Sequence, residues 1–141
     1  MSRIYWDTML FIYWLEDHPV HFARVQKIYD RMQQRQDVLC ASAFTLGELL
    51  IGPLKHGAAD AAAGIRTFFG SSAIDVAPFT PETAERYAQI RASQRVSPSD
   101  AIHLACAAQS RADLFLTNDH RLRGLAIPGI HFIAGMTSEL F

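Results

Sequence analysis

Residues 3–8 read Arg-Ile-Tyr-Trp-Asp-Thr, and the fold turns on how this stretch is read. Ile4, Tyr5 and Trp6 run without a polar break, as strands covered on both faces do. The run stops on a carboxylate, Asp7, and a helical pattern starts at Thr8. A first strand of a parallel sheet would then deliver Asp7 to the carboxyl edge, where open α/β folds gather their chemistry.

The segment that follows, residues 8–15 (TMLFIYWL), is apolar on nearly every face, so a helix there is buried on the sheet and against something else. Phe11, Tyr13 and Trp14 are therefore candidates for a subunit or partner contact, set against cover by the fold's own helices. His18-Pro19 breaks this helix, and residues 21–36 form a second one with Phe22, Val25, Ile28, Tyr29 and Met32 inward. A strand is expected over 38–41 and a helix over 46–54, ended or kinked at Gly52-Pro53, with Glu48 among leucines in its first turn. Residues 58–69 make an alanine-rich helix weakened by Gly64, which reads as a mobile or variable arm.

Further on, 73–76 reads as a third strand and 82–94 as a helix whose Arg86, Arg91 and Arg95 are expected near the sheet's active end. Ser97-Pro98-Ser99-Asp100 is a helix start with Ser97 as cap, and a small-residue helix continues to Gln109. Residues 114–117 form a fourth strand, Asn118-Asp119-His120 follows it directly, and 129–133 is a last short strand. Strands alternating with helices predict an α/β domain of three layers. A mostly parallel sheet of four to five strands is covered on both faces, and residues 1–141 make one domain.

Composition narrows the function. A net charge of -1 gives no global pull toward polyanions, so contact with nucleic acid has to come from a local patch. The thirteen basic residues are eleven Arg and two Lys, a choice that suits bidentate phosphate recognition and equally an arginine-rich codon usage. Cys40 and Cys106 lack metal or redox spacing and read as reduced core residues. The apolar amino-terminal run is interrupted by Asp7, closed by Glu16-Asp17 and too short to span a membrane, so a cytoplasmic protein is expected.

Four acids stand at comparable strand or helix boundaries: Asp7, Glu48, Asp100 and Asp119. Singly, each has an ordinary explanation: Asp7 as a helix cap, Asp100 in a capping box, Asp119 starting a turn, Glu48 on a wet helix stripe. Parallel topology changes the weighing, because it brings all four to one edge. Carboxylates crowded without lysine repel and protonate unless a cation sits among them, and all-oxygen ligands select a hard ion, Mg²⁺ or Mn²⁺. His103, one turn past Asp100, fits either a supporting role or a structural histidine, and His120 is expected on the surface. No zinc-type spacing, phosphate loop or nucleophile elbow is present.

The segments IYWDTMLFIYWLE, ASAFTLGELLIG, SPSDAIHLACA and LFLTNDHRL, in this order and within this length, resemble a PIN-domain ribonuclease of the VapC toxin type. The resemblance covers essentially the whole chain. It implies that Asp7, Glu48, Asp100 and Asp119 form a catalytic, metal-binding cluster, with Thr8, Thr117 and Asn118 as supporting polar groups. It implies metal-dependent hydrolysis of RNA by one ion or two, with Asp100 or Glu48 orienting the water. It also implies a homodimer and a cognate antitoxin whose helix lies in an apolar groove and whose basic side chain enters the acidic pocket. Where the family carries an apolar residue this chain has His103, and residues 52–72 match only weakly.

Three rivals share the element pattern. A phosphoacceptor receiver domain requires an acidic pair after the first strand and a late lysine, but here Thr8 follows Asp7 and no lysine lies beyond Lys55. A haloacid-dehalogenase-like phosphatase requires Asp-x-Asp, but Met9 stands in the second place. A PIN module that only binds protein has no need of four intact acids. Within the PIN reading, a housekeeping nuclease of RNA processing is the alternative to a toxin.

Overall fold

In the computed structural model, which describes residues 1–141, the expected first strand is the middle of the sheet. β1 (Arg3–Trp6) lies between β2 (Val38–Ser42) and β4 (Leu114–Thr117), with β3 (Asp75–Ala77) and β5 (Phe132–Gly135) at the two edges. All four pairings are parallel, so every strand points its carboxyl end at the same edge. The register sets Tyr5 opposite Cys40 and Phe115, and Trp6 opposite Leu116.

Alternation along β1 divides the core. Ile4 and Trp6 join Leu39, Ala41, Leu114 and Leu116 on one face, covered by α1 (Thr8–Leu15), α2 (Phe22–Arg35), α3 (Ala43–Lys55) and α4 (Ala59–Phe69). Tyr5, Cys40 and Phe115 face the other way, under α5 (Pro81–Ser93) and α6 (Pro98–Gln109). α2 meets the sheet through Val25, Ile28 and Met32, spaced as one stripe of an amphipathic helix. α6 is rich in small residues, and Ala101, Ala105, Cys106, Ala107 and Ala108 are buried because such a surface lets the sheet and α5 approach closely.

Several boundaries differ from the sequence expectation. α3 begins at Ala43, where Ser42 and Thr45 cap it reciprocally, so Glu48 lies in its second turn rather than its first, and Pro53 sits inside the helix. β3 and β5 are displaced toward the carboxyl terminus, to Asp75–Ala77 and Phe132–Gly135. α4 is a packed helix that buries Ala62, Ile65 and Phe69, not a loose arm. The aromatic side chains of α1 are covered from within: Phe11 is fully buried, and Trp14 packs against Tyr29 and Phe68. Arg86 is held by Gln109 at 2.7 Å and by the Pro128 carbonyl. Gln109 ends α6, nine residues or about 13 Å of helix rise from Asp100, so Arg86 lies away from the acidic end. No helix is long and apolar enough to cross a membrane.

Candidate active site

A cleft of about 680 Å³ opens at the carboxyl edge of the sheet, and Asp7, Glu48, Asp100 and Asp119 all line it. Four separate elements supply them. Asp7 follows β1 and caps α1 through its Oδ1, which accepts from the Thr8 amide at 2.9 Å. Glu48 comes from α3, Asp100 from the first turn of α6 where Ser97 caps the helix, and Asp119 from the turn after β4. Asp7 does cap a helix and Asp119 does start a turn, and these local roles do not compete with a shared site.

Polar side chains tie the cluster together. Thr117, fully buried at the end of β4, donates to Asp7 Oδ2 at 2.8 Å and accepts from the Asp119 amide at 3.0 Å. Thr8 donates to Glu48 Oε1 at 2.6 Å. Asn118 donates to the Tyr13 hydroxyl at 3.1 Å, bracing the wall of the cleft and not a carboxylate. Asp119 is engaged by Arg121, whose guanidinium lies 2.7 Å from Oδ2. Arg121 is the one arginine that lines the cleft, and the α5 arginines are absent from it.

The electrostatics follow from these contacts. Burial raises the Asp7 carboxyl above its ordinary value against the opposing His103 charge and the bonds from Thr117 and Thr8, and the Asp100 charge adds a smaller upward push. At Glu48 burial also pushes upward, but the hydrogen bonds from His103 and Thr8 outweigh it and the net shift is downward. Arg121 draws Asp119 down. One acid is thus held reluctantly ionised beside three others, an arrangement that a cation relieves.

The donors suit a hard divalent ion: four carboxylates from four elements line one cleft, with no cysteine among them. No three His, Cys, Asp or Glu side chains converge closely enough here to enclose an ion. Asp7, Glu48 and Asp119 are instead each turned toward donors of their own, and the Asp100 carboxylate has none. Capacity remains, since an ionised carboxylate accepts at about four lone-pair positions and Glu48 Oε2 has no partner.

One participant was not assigned from sequence. His103 is buried, with Nε2 2.5 Å from Glu48 Oε1 and 3.0 Å from Thr8 Oγ1, and Nδ1 2.8 Å from the Tyr5 hydroxyl. Its position three residues past Asp100, one turn on, was the available signal. Tyr5 carried none, because a tyrosine in an apolar strand reads as core.

Residues 4–128 match the family model described as PIN domain, and the chain belongs to that family. Among solved structures, the fold is similar to that of VapBC2 from Rickettsia felis bound to a promoter DNA fragment. That match has a TM-score of 0.71 and 16% identity over 94% of this chain and 98% of the other. It is also similar to VapC20 of Mycobacterium tuberculosis, a sarcin-ricin loop cleaving toxin, with TM-score 0.67 and 16% identity over 87% and 96%. A toxin-antitoxin complex from Klebsiella pneumoniae matches at TM-score 0.65 and 21% identity over 90% and 94%. At these identities the likeness establishes the shared fold. No curated protein matches the chain in sequence.

Proposed function

We propose that this single-domain protein is a divalent-metal-dependent endoribonuclease acting in the cytoplasm, and the toxin of a toxin-antitoxin pair. The observation that carries the reading is the gathering of Asp7, Glu48, Asp100 and Asp119 from four elements into one cleft. Asp7 and Asp100, close enough for one charge to raise the other's pKa, are the central ligands for Mg²⁺ or Mn²⁺. Glu48, through its unpartnered oxygen, and Asp119 complete the set. A bound ion supplies Lewis acidity, making water more acidic and offsetting the charge that grows on the phosphate oxygens. Thr117 and the Thr8 amide fix Asp7, Thr8 also fixes Glu48, and Asp100 or Glu48 orients the attacking water.

The partner half of the proposal rests on a second cavity. A groove of about 580 Å³ between α1, α3 and α4 is lined by Ile12, Leu15, Leu49, Pro53 and Ile65, and shares Ile12, Glu16 and Leu49 with the acidic cleft. Leu15 of the groove and Ile51 of the adjoining cleft are both exposed. An amphipathic antitoxin helix running along the groove toward the cleft would cover them and bring a basic side chain to the carboxylates. The homodimer that the resemblance implies is part of the same proposal, and light scattering of the purified chain tests it.

The function is tested by incubating purified protein with structured RNA, with EDTA and then with Mg²⁺ or Mn²⁺ restored. Cleavage that stops on chelation and returns with either ion supports the proposal, and cleavage indifferent to EDTA would overturn its metal chemistry. A short reading frame directly upstream, co-purifying as a complex, separates a toxin from a housekeeping nuclease.

A further inference from the structure

His103 is 2% exposed, yet both ring nitrogens have polar partners and two of those partners, Glu48 and Thr8, line the cleft. An ionised carboxylate can only accept, so at 2.5 Å from Glu48 Oε1 the Nε2 atom has to carry a proton. The Thr8 hydroxyl gives its single proton to the same oxygen at 2.6 Å and is left to accept from Nε2 at 3.0 Å. Glu48 Oε1 therefore has two short donors, and Oε2 has none.

The ring is held from behind. Nδ1 lies 2.8 Å from the Tyr5 hydroxyl, which donates to Ser42 Oγ at 2.9 Å. Ser42 is itself fixed by its reciprocal cap with Thr45. Tyr5 is wholly buried, and burial pushes its phenol far up, so this anchor stays protonated. Tyr5 and Phe44 pack beside the imidazole at centroid distances of 5.9 and 5.2 Å, leaving the ring little freedom to turn.

We propose that His103, locked by Tyr5, is a positioning residue that pins Glu48 through Oε1 and so presents Oε2 to the acidic cleft. An apolar side chain at this position would leave Glu48 on the Thr8 bond alone. The inference rests on the ribonuclease reading for its purpose and on the hydrogen-bond geometry for its substance. Partners that orient metal-binding side chains in this way are worth ~10–100-fold in affinity.

The test uses the full chain as wild type, His103→Leu, His103→Gln and Tyr5→Phe, with thermal unfolding to confirm that each is folded. Proton–nitrogen NMR of ring-labelled protein without metal should find Nε2 of wild-type His103 protonated and slow to exchange, and the signal weakened in Tyr5→Phe. Calorimetric titration with Mn²⁺ should find ~10–100-fold weaker binding in His103→Leu and recovery in His103→Gln, whose amide nitrogen can donate from nearly the same place. A bare Nε2, or equal Mn²⁺ affinity in wild type and His103→Leu, would overturn the proposal. Should His103→Leu fail to fold, the same decision falls to Tyr5→Phe, where an unchanged NMR signal and unchanged affinity overturn it. If wild type binds no Mn²⁺, the ribonuclease reading falls, and the NMR result alone decides whether His103 pins Glu48.

Discussion

Thr117 Oγ1 donates to Asp7 Oδ2 at 2.8 Å, and this bond ties the end of β4 to the end of β1 where two acids enter the cleft. The two strands are neighbours in register, so the bond is a consequence of sheet order and not of a flexible loop.

Replacing Thr117 by Val keeps the shape and deletes both the donor to Asp7 and the acceptor of the Asp119 amide. Thr117 is fully buried, and the loss of a bond to a charged acceptor should cost about 1–3 kcal/mol and raise Asp7 further. Urea unfolding measures the first effect, and an unchanged midpoint would contradict the assignment of Asp7 Oδ2 to this hydroxyl.

The shifted acids make the metal-free protein's stability depend on pH in two opposed ways. Asp7 is raised in the folded state, so its contribution is fully present below the ordinary value of 3.8 and is lost as pH rises through the folded value. Asp7→Asn should therefore be more stable than wild type at neutral pH, with a gap that closes below about 3.8. Denaturant midpoints across this range check it, and a variant less stable than wild type at pH 7 would refute the electrostatic picture.

Glu48 and Asp119 run the other way. Both are lowered, so their contributions are present above the ordinary values of 4.5 and 3.8 and disappear as pH falls through the folded values. Glu48→Gln should flatten the acid limb of the stability profile, while Arg121→Ala should return Asp119 toward its ordinary value. Denaturant midpoints against pH read the first, and carboxyl carbon NMR titration of Asp119 reads the second.

Arg24 on α2 clamps the carboxyl-terminal tail, donating to the Met136 carbonyl at 2.7 Å and also to Ser138 and Phe141 carbonyls. Arg24→Ala should lower stability by about 1–3 kcal/mol and speed amide exchange over residues 136–141, while RNA cleavage remains, because Arg24 lies outside the cleft. Loss of cleavage in a folded variant would show that the tail matters to the site.

Much of this was legible because strong local signals coincided with topology. The unbroken run Ile4–Trp6 stops on Asp7, and Leu114–Thr117 leads into Asp119, so a parallel sheet had to bring these two acids together. Ser97 and Pro98 marked the start of α6 and with it Asp100. What escaped depended on tertiary contact. The reciprocal Ser42–Thr45 cap starts α3 early and lowers Glu48 by a turn, while the edge strands β3 and β5, short and paired on one side, left weak boundaries. Arg86 was misplaced because helix periodicity does not say which end of the neighbouring helix a side chain reaches. The bond from His103 to Glu48 joins residues 55 positions apart, and no local pattern encodes it.

The most direct test of the shared metal site is an anomalous difference map from crystals soaked in Mn²⁺ at neutral pH, collected for wild type and for Asp100→Asn. The expected result is a peak within coordination distance of Asp7 and Asp100 oxygens in wild type, lost or much weakened in the variant. A saturated wild-type crystal with no peak between these carboxylates, or with manganese bound only elsewhere, would contradict the claim that the four acids form one metal site.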